Sequence, residues 1–300
     1  MVKEVFFEIL VQVLSKLNLR QISSLGKAVG TLMWILVPSR RKMAITNIEN
    51  HLKINRKDAT YLAKMNFLHT GRAFVEIFYN LKVDYRFVND FVEVKNESIL
   101  KKVKSLNRPV VAVTAHLGSW ELLAGIMAVL FQDIPTQIVI REPGDPVISE
   151  IVKRLRGKCK HEIVPRDNSA PRIAKLLKRN GISAFLVDHN CGWRKAIFLP
   201  FLGEIAAVNF GPALMALRNL ALVLPVFLIR GGKKGYKLYF LPYLDTRQCK
   251  GNLKEKVKII CEFYTKVVEE MVLKYPEQWY WIHNRWRTKP KKRDSKKELL

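Results

Sequence analysis

The chain has 300 residues, 49% of them hydrophobic, enough to bury a sizeable core as one large domain or two small ones, which excludes disorder as the default. Its 52 lysines and arginines against 26 acidic residues give a net charge of +26, so the expected partners are polyanionic: nucleic acid, anionic lipid or an acidic carrier protein. Four scattered cysteines, Cys159, Cys191, Cys249 and Cys261, have no C-x-x-C spacing and read as ordinary thiols of a reducing compartment.

Residues 2 to 19 place Glu4, Glu8, Gln12 and Lys16 four apart, which draws one narrow polar stripe on an otherwise apolar helix. A second apolar stretch, Ala28 to Val37, ends at Pro38 and is followed by Arg40, Arg41 and Lys42. Neither reaches the roughly 18 uninterrupted apolar residues of a clear spanning helix, so an interfacial anchor is expected, with no removable signal peptide. From Asp58 to Leu81 the apolar spacing is helical. Strand-like runs follow at 109–115, 136–140, 182–187, 223–229 and 236–243. Helical patterns fall near 119–131, 146–156, 169–179 and 209–219, and a last long helix lies within 248–274. The alternation predicts an α/β fold with a mixed, largely parallel sheet flanked by helices.

Within this frame the run Pro109 to Leu123, PVVAVTAHLGSWELL, sets His116 at a strand-to-helix turn, with Glu121 five residues on. On one continuous helix the two side chains would be about 140° apart, at roughly 3.6 residues per turn. A turn with Gly118 supplying backbone freedom brings them together. An imidazole oriented by a carboxylate suits general-base catalysis, with the nucleophile a hydroxyl of the substrate. Ser119 stands where a helix N-cap is expected, and capping is its expected role. Arg141 closes the run 136–140 at what becomes the carboxyl edge of the sheet, where a guanidinium can meet an oxyanion or a phosphate. Asp188 ends another apolar run, in a place to orient a basic side chain or a substrate hydroxyl. Arg194 and Lys195 follow as contacts for acidic groups. Phe198, Leu199, Phe201 and Leu202 are read as core or as the lining of an acyl groove.

The segment AHLGSWELL resembles the H-x4-D/E block of the glycerolipid acyltransferase superfamily, in particular its lipid A acyltransferase branch. Five further blocks of that branch occur in order: PSRRKMAITNIE from Pro38, IREPGDP from Ile140, VDHNCGWRKAIFLPFLGEIAAVNFGPALMAL from Val187, VLPVFLIR from Val223 and YPEQWYWIHNRWRTKP from Tyr275. The resemblance spans Pro38 to Pro290. It departs at Asp188-His189, where Asp-Gln is usual, at Ile140, where Tyr is usual, and at Phe201-Leu202-Gly203, where Phe-Phe-Gly is usual. The first departure leaves the role of position 189 open.

The resemblance implies an acyltransferase that moves a fatty acyl chain from an acyl carrier protein thioester to a hydroxyl of a phosphorylated glycolipid, a lipid A precursor. The expected location is the cytoplasmic face of the inner membrane, with a lysophospholipid or a phosphatidylinositol mannoside as alternative acceptors. It makes His116, Glu121 and Arg141 the catalytic candidates and Asp188, Gly118 and Arg194 the substrate-binding ones. Residues 1–40 are then a membrane-associating segment, 41–290 the acyltransferase domain and 291–300 a basic tail. No H-E-x-x-H or third metal ligand is present, nor a nucleotide-binding glycine pattern, so no metal and no cofactor are expected. A nucleic-acid-binding protein is the competing class. It would need a zinc-finger, RNP or helix-turn-helix pattern, and none occurs, so no nucleic acid partner is expected.

Overall fold

The structure, a computed structural model, describes residues 2–141, 144–156 and 161–290, with only the backbone described at 2–4 and 6. The expected basic tail 291–300 and Cys159 lie outside the described residues. Four helices open the chain: α1 (Val2–Lys16), α2 (Leu19–Leu36), α3 (Pro38–Leu52) and α4 (Arg56–Glu76). Then follow α5 (Tyr85–Phe91), β1 (Val92–Lys95), α6 (Glu97–Ser105), β2 (Val110–Thr114), α7 (Trp120–Leu130), β3 (Thr136–Ile140), α8 (Pro146–Arg156) and β4 (His161–Pro165). The chain continues through α9 (Ala170–Leu177), β5 (Ile182–Leu186), β6 (Ala196–Phe201), β7 (Glu204–Asn209), α10 (Gly211–Arg218), β8 (Leu222–Arg230), β9 (Tyr236–Phe240), β10 (Leu244–Asp245) and α11 (Leu253–Lys274).

The main sheet runs β1-β9-β8-β2-β5-β3-β4, with β10 paired to the side of β8. The pairs β8–β2, β2–β5, β5–β3, β3–β4 and β1–β9 are parallel, and β8–β9 and β8–β10 are antiparallel. The sheet is thus mixed and largely parallel, as the alternation of elements predicts. Successive side chains of β2 point to opposite faces. Val111 and Val113 join a core with α3, α4, α9, α10 and α11, while Val110 and Ala112 join one with α5, α6 and α7. Burial on both faces explains the unbroken apolar runs of the central strands. Because β2, β5, β3, β4 and β8 all run the same way, their carboxyl ends share one edge, where ligands of open α/β sheets bind.

Three features go beyond the sequence reading. β1 and β4 are short strands whose polar residues hide the apolar signal. Residues 196–209 form an antiparallel hairpin, β6–β7, turned by Leu202 (φ 51°) and Gly203 (φ 79°). α2 packs closely along α4: a Cβ on Gly71 would run into the backbone of Gly26 and Gly30. Toward solvent, α1 shows Val5, Ile9 and Val13, and the end of α2 shows Leu32, Ile35 and Leu36. No single described helix is long and apolar enough to cross a membrane; α2 and α3, bent by 96°, have that length and composition only together.

Candidate active site

His116 follows β2 by two residues, in a turn whose path is fixed by its amides. Leu117 N–H reaches Ala115 O at 2.7 Å, Gly118 N–H reaches Gln278 O at 3.0 Å and Ser119 N–H reaches Leu228 O at 2.8 Å. Gly118 sits at φ +66°, and a Cβ there would collide with the Leu228 carbonyl. Its place is therefore dictated by backbone shape. Ser119 occupies the N-cap of α7, but its hydroxyl makes no capping bond; it is buried without a hydrogen-bond partner, contrary to the capping expectation. A hydroxyl so enclosed is also out of reach of a substrate carbonyl.

The carboxylate on the imidazole is Asp188, not Glu121. β5 lies beside β2 in register, with Thr114 opposite Leu186, so Asp188 two residues past β5 meets His116 two residues past β2. Asp188 Oδ1 bonds His116 Nδ1 at 2.8 Å, and Oδ2 accepts both the His116 backbone N–H at 2.9 Å and the Trp279 indole N–H at 2.9 Å. Burial opposes charge on both partners. For His116 the Asp188 charge and hydrogen bond, aided by the charge of Glu121, outweigh burial and hold the imidazole above its ordinary value. For Asp188 the charge and hydrogen bond of His116, with the bond from Trp279, hold the carboxyl well below the usual carboxylate range. His189 and His283 stand nearby, but burial pushes each down to about 4, so they are neutral near pH 7. With Nδ1 committed to Asp188, Nε2 of His116 is the nitrogen left open, on a side chain 29% exposed.

Glu121, expected to orient His116, instead grips Arg156 at the end of α8. Its two oxygens take Arg156 Nε at 2.8 Å and Nη2 at 2.5 Å, a bidentate pair. Its influence on the imidazole is a charge effect through space.

His116 opens onto a cavity of about 520 Å³, within the roughly 300–1,000 Å³ usual for ligand pockets. Val139, Ile140, Ile173, Phe185, Leu214 and Met215 line its apolar part, and Arg141, Arg156, Arg166 and Lys195 add four cations. Arg141 is where the sequence reading expects it. Arg166 stands beside it because β3 and β4 pair Ile140 with Pro165, placing the two arginines next along neighbouring strands. Exposed Asp167 lies 3.9 Å from Arg166 and 3.8 Å from Lys195. Of the pair Arg194 and Lys195, both exposed, Lys195 lines the cavity and Arg194 does not. Of the two readings of 198–202, core or acyl groove, the structure bears out the core: Leu199, Phe201 and Leu202 belong to it, and Phe198 packs on Trp193 at 5.0 Å. Among the described residues no group of three His, Cys, Asp or Glu side chains is arranged to hold a metal ion.

The sequence reading misses Arg156, Arg166 and Trp279 as members of this site. Arg156 ends an amphipathic helix, and Trp279 lies in an aromatic-rich stretch; chain position alone assigns neither to a histidine far away. The model of the bacterial lipid A biosynthesis acyltransferase family matches residues 4–288. The lipid A biosynthesis palmitoleoyltransferase of Escherichia coli (strain K12) is 25% identical over 271 residues, 89% of this chain and 85% of the relative. The lipid A biosynthesis lauroyltransferase of the same organism is 27% identical over 269 residues, again 89% and 85%. A lipid A biosynthesis acyltransferase of Shigella flexneri is 25% identical over 271 residues.

Proposed function

The chain belongs to the bacterial lipid A biosynthesis acyltransferase family, and from that premise we propose that it transfers a fatty acyl chain from an acyl carrier protein thioester directly to a hydroxyl of a phosphorylated glucosamine lipid. The observation that carries this reading is the open Nε2 of His116 at the cavity, with Nδ1 committed to a buried carboxylate. Nε2 takes the proton of the acceptor hydroxyl as its oxygen attacks the thioester carbonyl carbon. Asp188 fixes the tautomer and offsets the imidazolium charge. The tetrahedral intermediate then expels sulfur, and the imidazolium returns the proton to it, leaving an ester and a free thiol. The turn amides at 116–119 are all committed, so the charge that meets the oxyanion comes from the guanidinium groups facing the cavity, Arg141 and the Glu121-held Arg156. No enzyme nucleophile is required, and Ser119 is enclosed.

The apolar part of the cavity suits the acyl chain. Arg141, Arg166 and Lys195 suit the phosphate of a phosphopantetheine arm and the acidic surface of a carrier protein. The outward stripe of α1 and the apolar end of α2 suit attachment to the inner membrane, from which the acceptor does not leave. Mass spectrometry of lipid A from the source bacterium, with the gene deleted and then restored as wild type or His116→Ala, tests the reading. Loss of one acyl chain on deletion, regained with the wild type alone, is expected. An unchanged lipid A profile would remove the assignment.

A further inference from the structure

At the rim of the cavity, which Tyr280 also lines, the imidazole of His116 borders a group of rings that the transfer chemistry does not use. Trp120 and Tyr280 lie 5.6 Å and 5.9 Å from it and 6.0 Å from each other, centroid to centroid. Phe74 on α4 meets both at 6.1 Å. The three rings meet at 60 to 90°, so they make a corner and not a stack. Phe74 is 39% exposed and does not line the cavity. An exposed phenyl against two rings beside a reactive histidine leaves apolar area uncovered at a place where water is otherwise the only neighbour.

A cation reaches the stretch of chain that carries Tyr280. Arg40, exposed in the first turn of α3, places Nη1 3.4 Å from the Ile282 carbonyl, and its charge is felt at the Tyr280 phenol and at His283. Among the described residues it has no carboxylate partner. The corner thus joins the exposed Phe74 ring and the half-buried Tyr280 ring, backed by the buried Trp120, with an unmatched positive charge; such rings pack on the C–H faces of a pyranose, and the charge suits a phosphate.

The acceptor hydroxyl must come within roughly 3 Å of His116 Nε2, so what surrounds the imidazole must also touch the acceptor. We propose that Phe74, Trp120 and Tyr280, with Arg40 beside them, seat the phosphorylated sugar of the acceptor, so that acceptor and acyl donor reach His116 from different flanks. The inference rests on the reading above and adds the place of the acceptor to it.

Steady-state kinetics of the full chain in mixed micelles test it, with acyl carrier protein thioester as donor and a tetra-acylated glucosamine disaccharide as acceptor, in bisphosphorylated and monophosphorylated forms. Phe74→Ala is expected to raise the acceptor KM by about three- to tenfold, the scale of an aromatic contact, with kcat and the donor KM within twofold. Phe74→Tyr should restore the acceptor KM. Arg40→Gln should raise KM for the bisphosphorylated acceptor more than for at least one monophosphorylated form. A Phe74→Ala enzyme with lower kcat and unchanged acceptor KM would make the ring a brace for His116 and overturn the proposal. So would a rise confined to the donor KM, or an equal effect of Arg40→Gln on all acceptors. Wild-type enzyme that acylates none of the glycolipids is a separate result, and it overturns the underlying reading itself.

Discussion

Two buried acid–base pairs lie side by side at the carboxyl edge of the sheet, and they differ in what they leave open. Glu76 receives Arg230 Nε at 2.9 Å, Arg230 Nη2 at 2.5 Å and the Tyr236 hydroxyl at 3.0 Å, while Arg230 Nη1 donates to Gly118 O at 2.9 Å. With side chains 3% and 1% exposed, that pair has no face toward a substrate. Asp188 is as fully bonded, but its partner His116 keeps one nitrogen at a cavity. The closed pair anchors the turn that carries the histidine; the open pair is the one that the proposed chemistry uses. Buried charge by itself therefore does not point to a catalytic group; an unfilled position beside a cavity is the feature that distinguishes the candidate.

Breaking the open pair should cost the most activity. His116→Ala is expected to lower turnover by roughly 10²- to 10⁴-fold with the thermal midpoint little changed. Asp188→Ala joined to it should be little worse than the worse single variant, because the two act as one unit. A double variant far slower than either would separate them. Breaking the closed pair should act on stability instead. Glu76→Ala strands the Arg230 charge in the interior, at a cost of about 3–5 kcal/mol in urea unfolding, and the molecules that remain folded should retain most of their turnover. Full stability together with lost activity would erase the distinction.

Smaller changes sharpen it. In the proposed mechanism neutral imidazole is the base, so activity should appear as pH rises through the raised value of His116, above the ordinary value of about 6.5. Glu121→Gln removes a negative charge that favours the imidazolium, so the acid limb of kcat/KM should move to lower pH, with a turnover loss smaller than that of His116→Ala. No movement of the limb would show that Glu121 acts through Arg156 alone. Trp279→Phe should have the least effect, about 1 kcal/mol from one lost hydrogen bond. Its limb should shift the other way, because Asp188 then holds more negative charge toward the imidazole; a downward shift would contradict the assigned bond.

Much of this architecture is legible from one dimension. The runs 136–140 and 146–156 coincide with β3 and α8, because buried strands and amphipathic helices write their periods into the chain. The hairpin at 196–209 is less legible: its turn carries Leu202 where the positive φ would ordinarily select Asn or Gly. His116 and Glu121 are both near the cavity, but which carboxylate touches which base depends on strand order. β5 enters the sheet beside β2 although β3 and β4 come between them in the chain, and that insertion delivers Asp188 across 72 residues. Arg166 is hidden for a different reason: it follows β4, a strand whose apolar signal is weak.

The stretch after α11 has a consequence for how an active molecule comes into being. Gln278 O holds the Gly118 amide, Trp279 pairs with Leu117 and holds Asp188, and the Tyr280 amide binds His116 O at 2.9 Å. Synthesis delivers these residues after every strand of the sheet, while α1 and α2, with their outward apolar side chains, emerge first. A nascent chain therefore has every strand of its sheet before the histidine–aspartate pair is fastened, and the pair is complete only once the stretch after α11 has docked.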